Sequence, residues 1–192
     1  MAKILVAYYT KNQQTKKIAE FIRTALVVRG HAVALRDIEK CEVVVEDFDA
    51  VIAGAPVYVG QYPRAFKKWA FKNSAELVRR PSAFFSVCLG ILQKDPEVQA
   101  QERKFVEDFF RATDWYPQLW SIFAGSLKYS KYNWLVKAIM ETISARAGSL
   151  TQSDRDYEFT DWSEVKRFTI EFACNLEEHR DARDWPPKEL SN

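Results

Sequence analysis

Cysteine is scarce in this chain, with Cys41, Cys88 and Cys174 as its only examples among 192 residues. Their number is odd, and they form neither a C-x-x-C pair nor a His-rich cluster. A disulfide framework or a Zn site needs such pairing or spacing. We therefore expect reduced intracellular thiols and no metal site.

Long apolar runs and an excess of charge of one sign are also missing. No window approaches about eighteen uninterrupted apolar residues, so no membrane-spanning helix is expected. The start lacks a charged region followed by a long apolar one, so no secretory signal is expected either. With 28 basic and 26 acidic side chains the formal charge is only +2, which argues against nucleic acid as a partner. A length of 192 residues favours one domain with a core of its own.

Two common nucleotide-binding loops are absent, since the chain contains neither G-x-G-x-x-G nor G-x-x-x-x-G-K-(S/T). Instead, an apolar strand at residues 3–9 leads into a polar loop and then into helical periodicity that ends near Gly30. The first N–H groups of a helix lack intrahelical partners and attract anions. The predicted phosphate-binding residues are Thr10, Lys11, Asn12, Gln13, Gln14 and Thr15. An ordinary polar strand-to-helix turn is the alternative.

Five predicted strands alternate with predicted helices along the chain. The strands are residues 3–9, 31–37, 49–55, 83–89 and 119–124. Alternation of this kind predicts right-handed crossovers and a parallel sheet covered on both faces. We predict an α/β, flavodoxin-like doubly wound sheet of order 2-1-3-4-5. The last helix is expected to open with a capping box from Asp161 to Glu164.

Three loops are expected to meet at the carboxyl edge of this sheet, where such folds bind ligands. They are residues 10–15, residues 56–62 and residues 88–95. The first would hold a phosphate, and the other two would border a flat ring that Tyr58 stacks against. Glycines at the strand exits (Gly54, Gly60 and Gly90) would let a ligand approach the backbone. Besides the phosphate loop, the predicted cofactor-binding residues are Pro56, Val57, Tyr58, Gly60, Cys88, Leu89, Gly90 and Gly125.

The segment between the fifth strand and the last helix, about residues 127–157, is longer than an ordinary connection; we call it the insert. Residues 132–143 place apolar side chains on one helical face, and basic residues surround it. Such a helix can lie at a membrane interface or cover an apolar ligand. It can equally pack against the core of the fold. We expect a domain over residues 1–176 that contains the insert, followed by a polar tail at residues 177–192.

The loop at residues 10–15 resembles the flavodoxin phosphate loop, (S/T)-x-T-G-x-T, which grips the terminal phosphate of FMN. Asn12 replaces the second Thr, and Gln13 replaces the Gly. A glutamine at this position disfavours a backbone φ above zero.

Four further stretches resemble a specific family, the menaquinone-dependent protoporphyrinogen IX dehydrogenases, which are long-chain flavodoxin-like enzymes of haem biosynthesis. They are residues 54–62, 81–87, 124–134 and 157–162. The third matches A-G-(A/S)-L-x-Y-x-x-Y-x-W and is the most specific, because it lies in the family's characteristic insert. The resemblance covers roughly residues 2–174.

The resemblance implies an FMN enzyme that oxidises protoporphyrinogen IX to protoporphyrin IX in three two-electron steps. Electrons would pass to a membrane quinone, either menaquinone or ubiquinone. The flavin carries the chemistry, so no catalytic side chain is expected, and neither His31 nor His179 is predicted to be one. The substrate and its propionates would be held by Lys128, Lys131, Trp134, Lys137 and Arg146.

The implied location is the cytoplasm, peripherally at the inner membrane surface, and whether the chain forms a homo-oligomer is left open. A flavodoxin-type electron carrier, or an FMN-dependent quinone reductase without porphyrinogen activity, is the alternative. Such carriers are typically strongly acidic, unlike this near-neutral chain. A phosphoacceptor receiver module is disfavoured, because the first strand ends at Tyr8 and Tyr9 with no acidic cluster.

Overall fold

The computed structural model describes residues 1–127 and 157–182. Within them, five parallel strands form one sheet of order β2-β1-β3-β4-β5. The strands are β1 (Lys3–Tyr8), β2 (Ala32–Asp37), β3 (Ala50–Pro56), β4 (Ser82–Cys88) and β5 (Leu119–Ala124). The predicted fold class and strand order are confirmed, and each strand lies within one residue of its predicted bounds.

In the described part of the chain, five helices cover the two faces of the sheet. They are α1 (Gln14–Val28), α2 (Arg64–Lys72), α3 (Ser74–Val78), α4 (Pro96–Thr113) and α5 (Trp162–Ala182). Helices α1 and α5 pack on one face through Ile18, Ile22, Phe168 and Phe172. Helices α2 and α4 pack on the other face. The central strands are therefore buried on both sides, which is why their sequences are continuously apolar.

The face under α2 and α4 is built from aromatic rings. Phe84 of β4 stacks on Phe109 of α4 with ring centroids 5.0 Å apart, and Phe66 of α2 lies 5.5 Å from Phe109. Trp115 is fully buried beside them and donates its indole N–H to Ser82 Oγ at 3.0 Å. Burial of large rings in offset or edge contacts stabilises this half of the core and holds α4 firmly beside the sheet.

Beyond β5 the chain enters a short two-stranded ladder that closes the base of the insert. Strands β6 (Ser126–Leu127) and β7 (Tyr157–Glu158) pair antiparallel, with Ser126 opposite Glu158. The predicted helix at residues 132–143 lies outside the described residues. The two ends of the insert are therefore fixed side by side at the end of β5.

Helix α5 starts as the sequence predicts and ends later. Asp161 Oδ1 accepts hydrogen bonds from the N–H of Ser163 at 2.8 Å and of Glu164 at 3.3 Å, which confirms the N-cap. The helix then continues to Ala182, past the predicted domain end at residue 176. None of the helices in the described ranges has the length and apolarity needed to cross a bilayer.

Candidate functional site

The loop after β1 ends, directly before α1, at a residue with a left-handed backbone conformation. Gln13 has a φ of 69°. Although a glutamine disfavours this region, the chain takes the turn that a glycine would make easily, at a cost of about 1–2 kcal/mol. The first helical hydrogen bond follows, from Lys17 N to Gln13 O at 3.0 Å.

The first turn of α1 is open to an anion. No side chain of the described residues caps it, and it contains no acidic residue. Across residues 1–127 and 157–182, no hydrogen-bond acceptor is found for the N–H groups of residues 14–16. The unpaired N–H groups and the helix dipole together favour negative charge at this point.

Two threonine hydroxyls lie at this turn. Thr10 Oγ1 is buried and has no hydrogen-bond partner within the described part of the chain. Thr15, in the first turn of α1, is 2% exposed. A buried hydroxyl without a partner is costly, and a phosphate oxygen would supply the acceptor that Thr10 lacks. Lys11, Asn12 and Gln13 are exposed around the turn.

Gln14 was predicted to contact the cofactor, but its side chain forms a hydrogen bond with another residue of the protein. Its Nε2 donates to Thr160 Oγ1 at 2.8 Å, and Thr160 Oγ1 donates onward to Ala124 O at 2.7 Å. Both side chains are buried. This chain of bonds ties the start of α1 to the end of β5, so only the backbone N–H of Gln14 is left for an anion.

The loop after β3 is a tight hairpin on the rim of the site. Val57 N donates to Val87 O at 2.9 Å, and Tyr58 and Gln61 exchange backbone hydrogen bonds of 2.9 and 3.0 Å. Val59 and Gly60 between them have φ values of 49° and 72°, as the two central residues of a type I′ turn do. The Val59 side chain is fully exposed at the tip.

The phosphate loop and the hairpin meet through a side-chain contact. Lys11 Nζ lies 5.6 Å from the centroid of the Tyr58 ring, within the range of a cation–π interaction. Tyr58 and Val57 are partly buried against the aromatic core. The Tyr58 ring is therefore held between the core and the positive charge of the phosphate loop.

The loop after β4 forms the third side of the site. Cys88 is buried, its carbonyl accepts from Gly125 N at 3.2 Å, and a single 3-10 turn follows at Gly90–Leu92. Burial raises the pKa of the Cys88 thiol well above its usual range, and the neighbouring Glu102 carboxylate adds to that rise. The raised pKa favours the neutral thiol of Cys88, which is the less nucleophilic form.

Glu102 of α4 lies beneath this loop, a placement that sequence reasoning missed. A side chain at Gly90 would collide with Glu102 Oε1, and Glu102 Oε2 is buried with no hydrogen-bond partner in the described residues. Burial raises the pKa of the Glu102 carboxyl, and the Cys88 thiol partly offsets that rise. The glycine at position 90 therefore makes room for a protein carboxyl.

Two residues at the predicted ligand-binding edge contact other residues of the core instead of facing a ligand. A Cβ on Gly54 would lie 2.0 Å from the Phe85 ring, so this glycine allows strand packing and does not open the backbone to a ligand, as the sequence had suggested. Tyr62, at the end of the second predicted loop, is 4% exposed and donates its hydroxyl to Ser86 Oγ at 2.7 Å. Burial raises the pKa of Tyr62 far above its usual range.

The base of the insert lies against the start of α1. Lys17 Nζ of α1 contacts Glu158 Oε2 of β7 at 2.9 Å, and Phe159 N donates to Gly125 O at 3.1 Å. The Lys17 hydrogen bond lowers the pKa of the Glu158 carboxyl. The insert therefore leaves and re-enters the fold next to the candidate site. The predicted substrate residues Lys128, Lys131, Trp134, Lys137 and Arg146 lie outside the described residues.

A depression lies at the opposite, amino edge of the sheet, away from the three loops. It has a volume of about 330 Å³ and is lined by Phe48, by acidic residues at 46, 47 and 49, and by Arg79 and Arg80. Both arginines are paired with Glu76.

His31 is also distant from the three loops: it precedes β2, is buried, and lies 3.9 Å from Glu177.

The carboxyl edge thus fits a phosphorylated cofactor with a flat ring. One end of the site has an open helix terminus, a lysine, and a buried hydroxyl with no partner among residues 1–127 and 157–182. A partly buried tyrosine on a rigid hairpin and the Leu89–Gly90 loop stand at the other end. A doubly wound sheet with its ligand loops arranged in this way defines a flavodoxin-like protein.

Comparison with known proteins agrees with this class. The model of the Flavodoxin domain family matches residues 5–154. The solved structure of Fusobacterium nucleatum flavodoxin bound to flavin mononucleotide shares the fold, with a TM-score of 0.51, 11% identity, and coverage of 93% of this chain and 99% of that one.

Two curated relatives narrow the class further. Protoporphyrinogen IX dehydrogenase (quinone) of Escherichia coli K12 is 28% identical over 172 residues, which are 89% of this chain and 94% of the relative. The Leishmania major protein of the same name is 33% identical over 176 residues, which are 90% of this chain and 75% of the relative. The chain belongs to the flavodoxin-domain family and, within it, to the family of quinone-dependent protoporphyrinogen IX dehydrogenases.

Proposed function

We propose that the protein binds FMN and oxidises protoporphyrinogen IX to protoporphyrin IX, with a quinone as the electron acceptor. The observation that carries this proposal is the extent of the similarity. Both relatives that bear this activity in their names align along about nine-tenths of the chain. An alignment of 172 of the 192 residues must include the hairpin and the insert, and the flavodoxin-domain match, which begins at residue 5, includes the phosphate loop. The flavodoxin structure covers a similar share of the chain at only 11% identity, whereas these relatives reach 28% and 33% identity, which favours the enzyme over a simple electron carrier.

The phosphate end of FMN is assigned to the loop at residues 10–15. The N–H groups at the start of α1 and the hydroxyls of Thr10 and Thr15 donate hydrogen bonds to the phosphate oxygens, and Asn12 adds an amide donor. Lys11 provides countercharge from the loop. Charge-assisted hydrogen bonds of this kind are roughly twice as strong as neutral ones.

The ring end is assigned to the other two loops. Val57, Tyr58 and Gly60 border one side of the ring, and Cys88, Leu89 and Gly90 border another, with Pro56 and Gly125 behind them. When bound, the flavin supplies the two-electron redox chemistry. The protein fixes the orientation of the ring and limits the access of water. The neutral Cys88 thiol adds no charge beside the ring.

The substrate is assigned to the insert, which starts and ends beside the cofactor loops. The macrocycle would rest on the apolar face of residues 132–143, near Trp134. Lys128, Lys131, Lys137 and Arg146 would pair with its propionates. We further propose that the protein works in the cytoplasm and touches the inner membrane surface, because its quinone acceptor is a membrane molecule.

A steady-state assay tests this function. Purified protein loaded with FMN is mixed under anaerobic conditions with protoporphyrinogen IX and a short-chain naphthoquinone, and porphyrin fluorescence is followed. We expect fluorescence that depends on the protein, on FMN and on the quinone. A rate with loaded protein no higher than with free FMN would refute the proposal.

A further inference from the structure

The tip of the hairpin places a valine where the backbone disfavours one. Val59 has a φ of 49°, in the left-handed region. A β-branched side chain in this region is an outlier, because its methyl groups crowd the backbone. The same turn accepts Asn-Gly readily, and Gly60 already occupies the second central position with a φ of 72°.

No contact within the described residues compensates for this strain. The Val59 side chain has a relative exposure of 101%. A strained residue whose side chain packs against nothing in its own fold destabilises the folded state. Strain of this kind is typical of functional positions, where an external contact makes use of it.

The turn is also held too firmly to relax. A Cβ on Gly60 would lie 3.0 Å from the Phe105 ring, so the hairpin rests on α4. Tyr58 lies under Lys11, and the Tyr58 and Gln61 backbones are bonded to each other. Val57 and Tyr58 pack inward against the core, whereas Val59 projects outward from the rim. An incoming molecule would therefore reach Val59 before it reached the residues behind it.

We propose that Val59 is a specificity-determining contact for the apolar acceptor, a quinone, that takes electrons at this site. This proposal rests on the proposed function, because it assumes FMN between the three loops. The methyl groups of Val59 favour a flat apolar molecule over a small hydrophilic oxidant. A lipid surface is the less suitable occupant, because the hairpin presents a single apolar side chain, and its neighbour Gln61 is polar and exposed.

The test compares Val59→Asn and Val59→Thr with Val28→Asn. Asparagine suits the left-handed turn and removes the methyl groups, whereas threonine keeps the β-branched shape and replaces one methyl with a hydroxyl. Val28 is the matched control, because it is an 82% exposed valine at the end of α1. Each FMN-loaded variant is reduced anaerobically and then reoxidised in a stopped-flow instrument, once with a short-chain naphthoquinone and once with ferricyanide.

For Val59→Asn we expect a Tm higher by about 2–4 °C, since the strain is relieved, and an FMN Kd within about twofold of wild type. The second-order rate with the naphthoquinone should fall about five- to tenfold, as expected when the one or two methyl groups that the bound acceptor covers are lost. The rate with ferricyanide should not change. Val59→Thr should lower the naphthoquinone rate without raising Tm, and Val28→Asn should leave both rates unchanged.

Several results would overturn the proposal. An unchanged naphthoquinone rate in both Val59 variants would show that no acceptor touches this side chain. A Tm for Val59→Asn no higher than wild type would remove the strain argument. A large rise in the FMN Kd would assign Val59 to the flavin instead, and loss of binding to anionic vesicles at an unchanged rate would assign it to the membrane. If the wild type reacts with the naphthoquinone but does not oxidise protoporphyrinogen, the proposed function fails and the role of Val59 stands.

Discussion

The ammonium group of Lys11 lies 5.6 Å from the centre of the Tyr58 ring. This contact joins the loop after β1 to the hairpin after β3, the two parts of the edge that we assign to the phosphate and to the ring of one cofactor. The two ends of the site are therefore coupled through side chains of the protein itself.

Lys11→Met should weaken FMN binding by about 1 kcal/mol or more, because the phosphate loses a countercharge. Titration of the apoprotein by flavin fluorescence measures this. Lys16→Met is the control, because Lys16 is engaged with Glu20 at 3.5 Å on the helix surface. Equal FMN affinity for both variants would place the phosphate away from Lys11.

Thr10→Val should weaken FMN binding by about 1–3 kcal/mol, since a charged acceptor is left without a donor. Without FMN, the same change should leave the stability of the protein unchanged or raise it, because the hydroxyl has no partner in the described chain. Calorimetric Tm values with and without FMN separate the two effects. Thr24→Val on the exposed side of α1 should not alter FMN affinity, and a similar loss there would contradict the assignment.

Gln14→Leu should destabilise the fold by about 1–3 kcal/mol, because it leaves the buried Thr160 hydroxyl without its donor. Urea unfolding measures the change. Thr160→Val should cost a similar amount, and the double variant should cost less than the sum of the two, as expected for residues in one network. Additive losses would show that the bond contributes nothing.

Glu102→Gln should stabilise the protein at neutral pH. Burial raises the pKa of the folded-state carboxyl above its unfolded value. Between those two values the folded state binds more protons than the unfolded state, so stability falls as pH rises through that window. The glutamine amide does not ionise, so the stability of the variant does not fall in this pH window. The Tm of the variant should exceed that of wild type at pH 7 and match it below the ordinary glutamate pKa; a difference independent of pH would contradict this.

The sequence predicts the sheet well because its signals are local and strong. Continuous apolar runs of strand length, such as residues 3–9 and 83–89, favour strands buried on both sides, and their alternation with helices indicates a parallel, doubly wound sheet. The N-cap at Asp161 was also predictable from the sequence, because its side-chain oxygen accepts hydrogen bonds only from backbone N–H groups two and three residues ahead.

The site was less predictable because its details depend on residues distant in sequence. The left-handed turn at Gln13 contradicts local preference and is set by how β1 must enter α1. The pairing of Gln14 with Thr160 spans 146 residues, and no local pattern shows it. Glu102 reaches the β4 loop only because the aromatic core fixes α4. Val59 at the hairpin tip shows how the fold can impose a backbone that its residue type disfavours.

The reductive half-reaction tests the central claim most directly. FMN-loaded protein is mixed anaerobically with protoporphyrinogen IX and no other acceptor, and flavin absorbance and porphyrin fluorescence are recorded together. We predict that the flavin bleaches as porphyrin forms, with about three flavins reduced per porphyrin, since each flavin takes two of the six electrons released. Flavin that stays oxidised in the presence of excess protoporphyrinogen IX, in protein that binds FMN normally, would contradict the account.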